Sequence, residues 1–195
     1  MKESFLVPFG ILLAALGYSQ TLKPSADAPR HVETLFLGAP TANHPGHDPV
    51  ERYRVLKKAL GVDGINLTYT EDLADIRRDV LDRYDGVMLY GNWQQNEAMD
   101  LAKESALLSY VNDGGAFLPI HCASACFGGS DAFVKLVGGR FKSHCTGVFT
   151  TTCVSPQHPV MRGYAGFETW DETYVHDRLT DDRTILQLRD QEPWT

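Results

Sequence analysis

The chain has 195 residues, 43% of them hydrophobic and 22% charged, which is ordinary globular material and enough for one α/β domain with a real core. The net charge of -7 and the lack of any basic run argue against nucleic acid or an anionic membrane surface as the main partner, because both reward clustered Lys and Arg.

At the N-terminus, Lys2 precedes an apolar run from Phe5 to Leu16, broken at Pro8 and Gly10 and followed by the small residues Gly17 and Ser19. A basic start, a short apolar stretch and a small-residue exit have the order of a secretory signal peptide, with Glu3 the one residue against it. The run is too short for a transmembrane helix, which needs roughly 20 apolar residues. Residues 1–19 are therefore expected to be a signal peptide, 20–31 a linker and 32–195 the folded domain, and the protein is expected to be periplasmic or extracellular. No cysteine lies near the exit to serve as a lipid anchor. Export makes disulfides possible for Cys122, Cys126, Cys145 and Cys153, but their spacing sets no pairing and free buried thiols are the plainer reading.

Val32 to Gly38 reads as a strand. A polar loop with His44 and His47 follows, and Asp48-Pro49 has the form of a helix cap and first helical position. Val50, Tyr53, Leu56 and Leu60 recur at helical spacing up to Gly61. Ile65 to Tyr69 is a second strand, Asp75 to Leu81 a short helix, and Val87 to Tyr90 a third strand. A long helix over Asn96 to Asn112 ends at Gly114-Gly115. Ala116 to Ile120 reads as a fourth strand, apolar without alternation, as in a strand buried on both faces. Alternating strands and helices predict a three-layer α/β fold, a parallel sheet with helices on both faces. After a short helix over Asp131 to Val137 the chain turns β-rich, with stretches at Thr146 to Val154, Phe167 to Glu172 and Thr184 to Leu188 that fit either a hairpin extension or late sheet strands.

Ligands of open α/β sheets bind at the carboxyl ends of the strands. Two features fall there: the loop with His44 and His47, and the turn Ile120-His121-Cys122-Ala123-Ser124. A strand running directly into a sharp turn presents one side chain above the sheet, as a nucleophile elbow does. With His144, Asp171, Glu172 and His176, the two features make a polar set drawn from separate segments. Imidazoles and carboxylates suit a divalent metal such as zinc, and equally acid–base work. Neighbouring carboxylates on a strand point to opposite faces, so at most one of Asp171 and Glu172 is expected to face the site, and Glu172 is favoured. His158, before Pro159, reads as a turn residue, and His176 as a surface or rim residue. Asn92 and Trp93 follow the third strand and are candidate pocket residues; Trp93 and Trp170 are candidate sugar platforms or core residues.

Four segments in order carry a family resemblance. Gly114 to Ser124 (GGAFLPIHCAS), Leu136 to His144 (LVGGRFKSH), His158 to Met161 (HPVM) and Trp170 to Tyr174 (WDETY) resemble the trehalose-utilisation (ThuA-like) family, whose fold is flavodoxin-like and related to glutamine amidotransferases. The resemblance implies a carbohydrate partner of the trehalose or keto-sugar kind. It places His121 at the elbow where amidotransferases carry their cysteine, with Cys122 one residue late. The candidate catalytic residues are His121, His144 and Glu172, the same three being the candidate metal ligands, and the candidate substrate-binding residues are His44, His47, Asn92, Trp93 and Tyr174. The alternatives are a non-catalytic carbohydrate-binding module and a cysteine-dependent enzyme using Cys122. Family members usually continue into a Gly-His-(Asp/Glu) segment that is not found after residue 188, so a truncated domain is expected.

Overall fold

A computed structural model describes residues 30–39, 45–93 and 96–189. The chain divides into Met1–Arg30 and His31–Thr195. The expected signal peptide, most of the linker and His44 lie outside the described residues.

The second unit holds a four-stranded parallel sheet in the order β2-β1-β3-β4, built from β1 (Val32–Gly38), β2 (Ile65–Thr70), β3 (Gly86–Tyr90) and β4 (Ala116–Pro119). Alternation along the strands sorts its side chains into two cores. Leu35, Leu37, Val87 and Leu89 pack with residues of three helices, α2 (Arg78–Leu81), α3 (Leu101–Asn112) and α4 (Asp131–Val137). Phe36, Leu67 and Tyr90 join Cys122 and pack with Tyr53, Leu56 and Leu60 of the remaining helix, α1 (Pro49–Gly61). Helices thus cover both faces. Each fully buried residue of this size contributes about 1.5–3 kcal/mol, and Phe36, Leu35 and Leu37 are at most 2% exposed.

Local chemistry explains where the elements start. The Asp48 carboxylate accepts from the Val50 and Glu51 amides, capping α1 with Pro49 in its first turn. The long helix expected from Asn96 begins later, at Leu101, because the Asp100 carboxylate accepts from the Ala102 and Lys103 amides and sets the cap there. The helix expected over Asp75 to Leu81 is broken in two. A 3-10 turn spans Leu73–Asp75, capped by Asp72, and Arg77 is extended before α2 starts. The Thr70 hydroxyl donates to Asp75 at 2.6 Å, which holds that first turn against β2.

The fourth strand departs from its reading. It lies at the sheet edge among the described residues, and its burial alternates, with Leu118 51% exposed. An apolar run cannot distinguish a central strand from an edge strand with one covered face. The β-rich part forms a separate antiparallel sheet in the order β6-β5-β7, from β5 (Arg140–Cys153), β6 (Glu168–Asp177) and β7 (Gln187–Arg189). It is therefore the hairpin extension of the two alternatives. All four cysteines are free thiols.

Candidate functional site

Three structural devices bring polar side chains to the carboxyl end of the parallel sheet. The first is the turn before α1. His47 directly precedes the Asp48 cap, so fixing the cap fixes its backbone, and Arg52 on α1 donates to the Gly46 carbonyl at 3.3 Å.

The second is the elbow. β4 runs through Ile120 into a 3-10 turn, His121–Ala125, and His121 takes the left-handed conformation with φ of 49°. A side chain there costs on the order of 1 kcal/mol or more, a strain found where function needs a side chain aimed out of the chain path. The turn is held by its surroundings. Cys122, Ala123 and Cys126 are fully buried. The Cys126 thiol donates to the Gly91 carbonyl at 3.0 Å and accepts from the Trp93 amide at 3.3 Å, tying the end of β3 to the elbow. The Ser124 hydroxyl lies 3.2 Å from the His121 carbonyl, to which it donates.

The third is β6. Period-two alternation places Glu172, Tyr174 and His176 on one face, and Tyr174 lies directly opposite His144 on β5. That face meets the elbow. His176 Nε2 is 3.0 Å from Ser124 Oγ, and Arg178 donates to the Gly128 carbonyl at 2.9 Å and pairs with Asp131.

At the centre, His121 Nε2 is 3.2 Å from His47 Nε2, 3.1 Å from Glu172 Oε2 and 3.2 Å from the Tyr174 hydroxyl. His47 Nε2 is 3.4 Å from Glu172 Oε2. The rings of His121 and Tyr174 stack with centroids 4.4 Å apart. His144 stands farther out, its Nδ1 3.6 Å from the other Glu172 oxygen.

Burial sets the protonation states. It pulls His121 below the ordinary histidine range, and the neighbouring His47 adds to the effect, so the ring is neutral near pH 7. Burial alone would push Glu172 up, but the hydrogen bond from His47, helped by the neighbouring imidazoles, outweighs it and holds the carboxyl low, so it is a carboxylate. Burial and the Glu172 charge push the Tyr174 phenol up, and it keeps its proton. Cys122 is pushed up to about 12, mainly by burial, and carries almost no thiolate.

Two clefts meet on this cluster. One, of about 360 Å³, is lined by Gly46, His47, Arg52, Tyr90, His121 and Glu172, with Asp171 at its edge. The other, of about 460 Å³, lies between Ser124, Tyr174, His176 and Arg189 and shares His121 and Glu172 with the first. Asp171 reaches the cleft although it is out of phase with Glu172, its carboxylate accepting from the Glu172 amide at 2.8 Å. A larger hollow of about 590 Å³ between α4 and residues 180–184 has no histidine in its lining.

The structure thus gathers His47, His121, Glu172 and Tyr174, with His144 one step out. Trp93 instead packs against the core and lies parallel to Phe127, with ring centroids 6.4 Å apart, while Asn92 is half-buried; neither lines the two clefts. Trp170 is 67% exposed and not in the core. His158 caps a 3-10 turn at Pro159–Met161, as read from the sequence. His176, expected at the surface or rim, is a half-buried cleft residue, and the period-two spacing Glu172-x-Tyr174-x-His176 is the sequence signal for it. Arg52 and Tyr90 are cleft residues that no sequence signal marks; Arg52 sits on α1 nine residues before Gly61, the glycine that ends the predicted helix.

A family model described as trehalose utilisation, ThuA, matches residues 37–193. The chain belongs to the ThuA family. Among solved structures it is similar to a ThuA-like protein from Bacteroides uniformis ATCC 8492, with a TM-score of 0.64 and 20% identity over 85% of this chain and 71% of that one. A ThuA-like protein from Parabacteroides merdae ATCC 43184 gives a TM-score of 0.62 and 16% identity over 82% of this chain and 68% of that one. At these identities the likeness concerns the fold. Comparison with curated proteins finds no match. Within the ThuA domain, the elbow histidine and the Asp-Glu-x-Tyr segment that carried the resemblance are the residues that meet in space. None of the described helices is long and apolar enough to cross a membrane.

Proposed function

We propose that this ThuA-family protein binds a disaccharide-sized carbohydrate of the trehalose or keto-sugar kind across the two clefts and acts on it at the ridge where they meet. The observation that carries the reading is the sharing of His121 and Glu172 by both clefts, which puts a neutral imidazole and a carboxylate at the junction between two ring-sized spaces. Each space is within the range of small-molecule sites. In this reading Glu172 takes a proton from the substrate, His121 and the Tyr174 hydroxyl hydrogen-bond the atom whose charge develops, and Arg52 and His176 orient hydroxyls in the two halves. Cys122 takes no part, because its thiol is buried and protonated.

Calorimetric titration with trehalose and with oxidised disaccharides, alongside a turnover assay, tests this. Saturable binding by the wild type is expected, with turnover lost in Glu172→Gln and His121→Ala while Glu172→Gln still binds. Binding without turnover in the wild type would make the protein a carbohydrate-binding module instead. Absence of binding to every sugar tried would sink the reading. The order Lys2, Phe5 to Leu16, Gly17 and Ser19 supports export. Fractionation should then recover a mature chain starting after Gly17 or Ser19.

A further inference from the structure

The geometry points to a divalent-metal site, suited above all to zinc, with His47 Nε2, His121 Nε2 and Glu172 Oε2 as its three protein ligands. Four observations lead there.

The first is the size of the triangle. The three ligand atoms are 3.1, 3.2 and 3.4 Å apart. Around a tetrahedral zinc with bonds of about 2.0–2.1 Å, neighbouring ligand atoms are separated by about 3.3 Å. The cluster therefore has the dimensions of one face of such a tetrahedron.

The second is an excess of partners at one atom. His121 Nε2 has three polar atoms within 3.2 Å: His47 Nε2, Glu172 Oε2 and the Tyr174 hydroxyl oxygen. A ring nitrogen offers either one proton or one lone pair, in the ring plane. Hydrogen bonding accounts for one of the three approaches. A cation on the in-plane lone pair accounts for the convergence of His47 and Glu172 on the same point.

The third is rigidity. Each ligand is set by a separate device: His47 by the capped turn before α1, His121 by the left-handed elbow, and Glu172 by the β6 register opposite Thr146. Preorganised ligands on separate rigid elements are what a metal site requires.

The fourth is donor chemistry. Two imidazoles and one carboxylate suit zinc, whereas magnesium and calcium prefer oxygen ligands. Three protein ligands would leave a fourth position for water or substrate; all three line one cleft, and the Tyr174 hydroxyl stands 3.2 Å from His121 Nε2. His144, expected from the sequence to be a ligand, is instead an outer neighbour, 3.6 Å from the second Glu172 oxygen. A metal there would supply a Lewis acid and an acidified water to the same cleft, and these would replace the proton transfer and charge stabilisation given to Glu172 and His121 in the metal-free carbohydrate reading. The inference stands without the carbohydrate reading and is tested without sugar.

The full chain, stripped with chelator and dialysed, is titrated with Zn²⁺ alone by calorimetry and with Co²⁺ by visible absorption. One equivalent of Zn²⁺ and a tetrahedral Co²⁺ spectrum are expected. His47→Ala, His121→Ala and Glu172→Gln should each weaken Zn²⁺ binding about a hundredfold or more, beyond the loss typical of an outer partner, and His144→Ala much less. Glu172→Gln is nearly isosteric, and circular dichroism identifies the variants that fold. No saturable Zn²⁺ binding, or binding that none of the folded ligand variants weakens, overturns the inference. Intact Zn²⁺ binding with no sugar binding would remove the carbohydrate reading and leave the metal site standing.

Discussion

His176 Nε2 lies 3.0 Å from Ser124 Oγ, and that hydroxyl in turn donates to the carbonyl of His121. A residue of the antiparallel sheet thereby holds the strained residue at the end of the parallel one. Ser124 is 9% exposed, so removing its hydroxyl leaves His176 without this partner in a half-buried place. Ser124→Ala is expected to lower stability by about 1–3 kcal/mol in urea unfolding. An unchanged midpoint would show that the link carries no stability.

The backbone at His121 makes a separate test. Glycine adopts a positive φ without the penalty paid by other residues. His121→Gly should therefore be more stable than His121→Ala by about 1 kcal/mol, although both lose the imidazole. Equal melting temperatures would mean that the elbow relaxes once the side chain is gone.

Acid should destabilise the fold. Burial holds His176 below the ordinary histidine value, with the Arg189 charge adding to the effect and Asp177 opposing it. Below the ordinary value of about 6.5 the unfolded chain binds a proton that the folded chain resists, so stability falls as pH drops from there through the folded pKa. Glu172 acts in the same direction at lower pH, since its carboxyl is held low in the fold. Thermal melts from pH 8 to 5 should show a falling midpoint, and His176→Asn, which cannot take up a proton, a shallower slope. An identical slope in the variant would remove His176 as a contributor.

Thiol labelling reads out burial. Cys122 and Cys126 are each pushed up to about 12 by burial, whereas Cys145 and Cys153 are partly accessible. Iodoacetamide at pH 8 should modify Cys145 and Cys153 first, with Cys122 and Cys126 reacting after unfolding. Fast modification of Cys122 in the folded protein would reopen thiol chemistry at the elbow.

Much of the parallel half was legible in the sequence because its signals are local. Asp48-Pro49 marked the start of α1 through capping chemistry, and Gly138, with φ of 96°, closed α4 where the glycine pair stood. The errors share a cause. The late start of α3 came from a cap at Asp100 that competed with an apolar rhythm, and the edge position of β4 depends on which strands neighbour it. Apolar pattern reports that a face is covered, not what covers it.

From the sequence by itself came the α/β class and the elbow at His121, since each follows from periodicity or turn chemistry within a few residues; strand alternation did not foresee that Asp171 lines the cleft together with Glu172. Only the tertiary structure decided which histidines share the site. His47 meets His121 across 74 positions of chain and Glu172 across 125. Those meetings depend on how β6 packs against the elbow, through His176, Ser124 and Arg178, and no local pattern encodes the packing of one sheet on the turn of another. His144 carries the same ring as His47, yet it stands outside the cluster because β5 places it beside Tyr174 rather than over the end of β4.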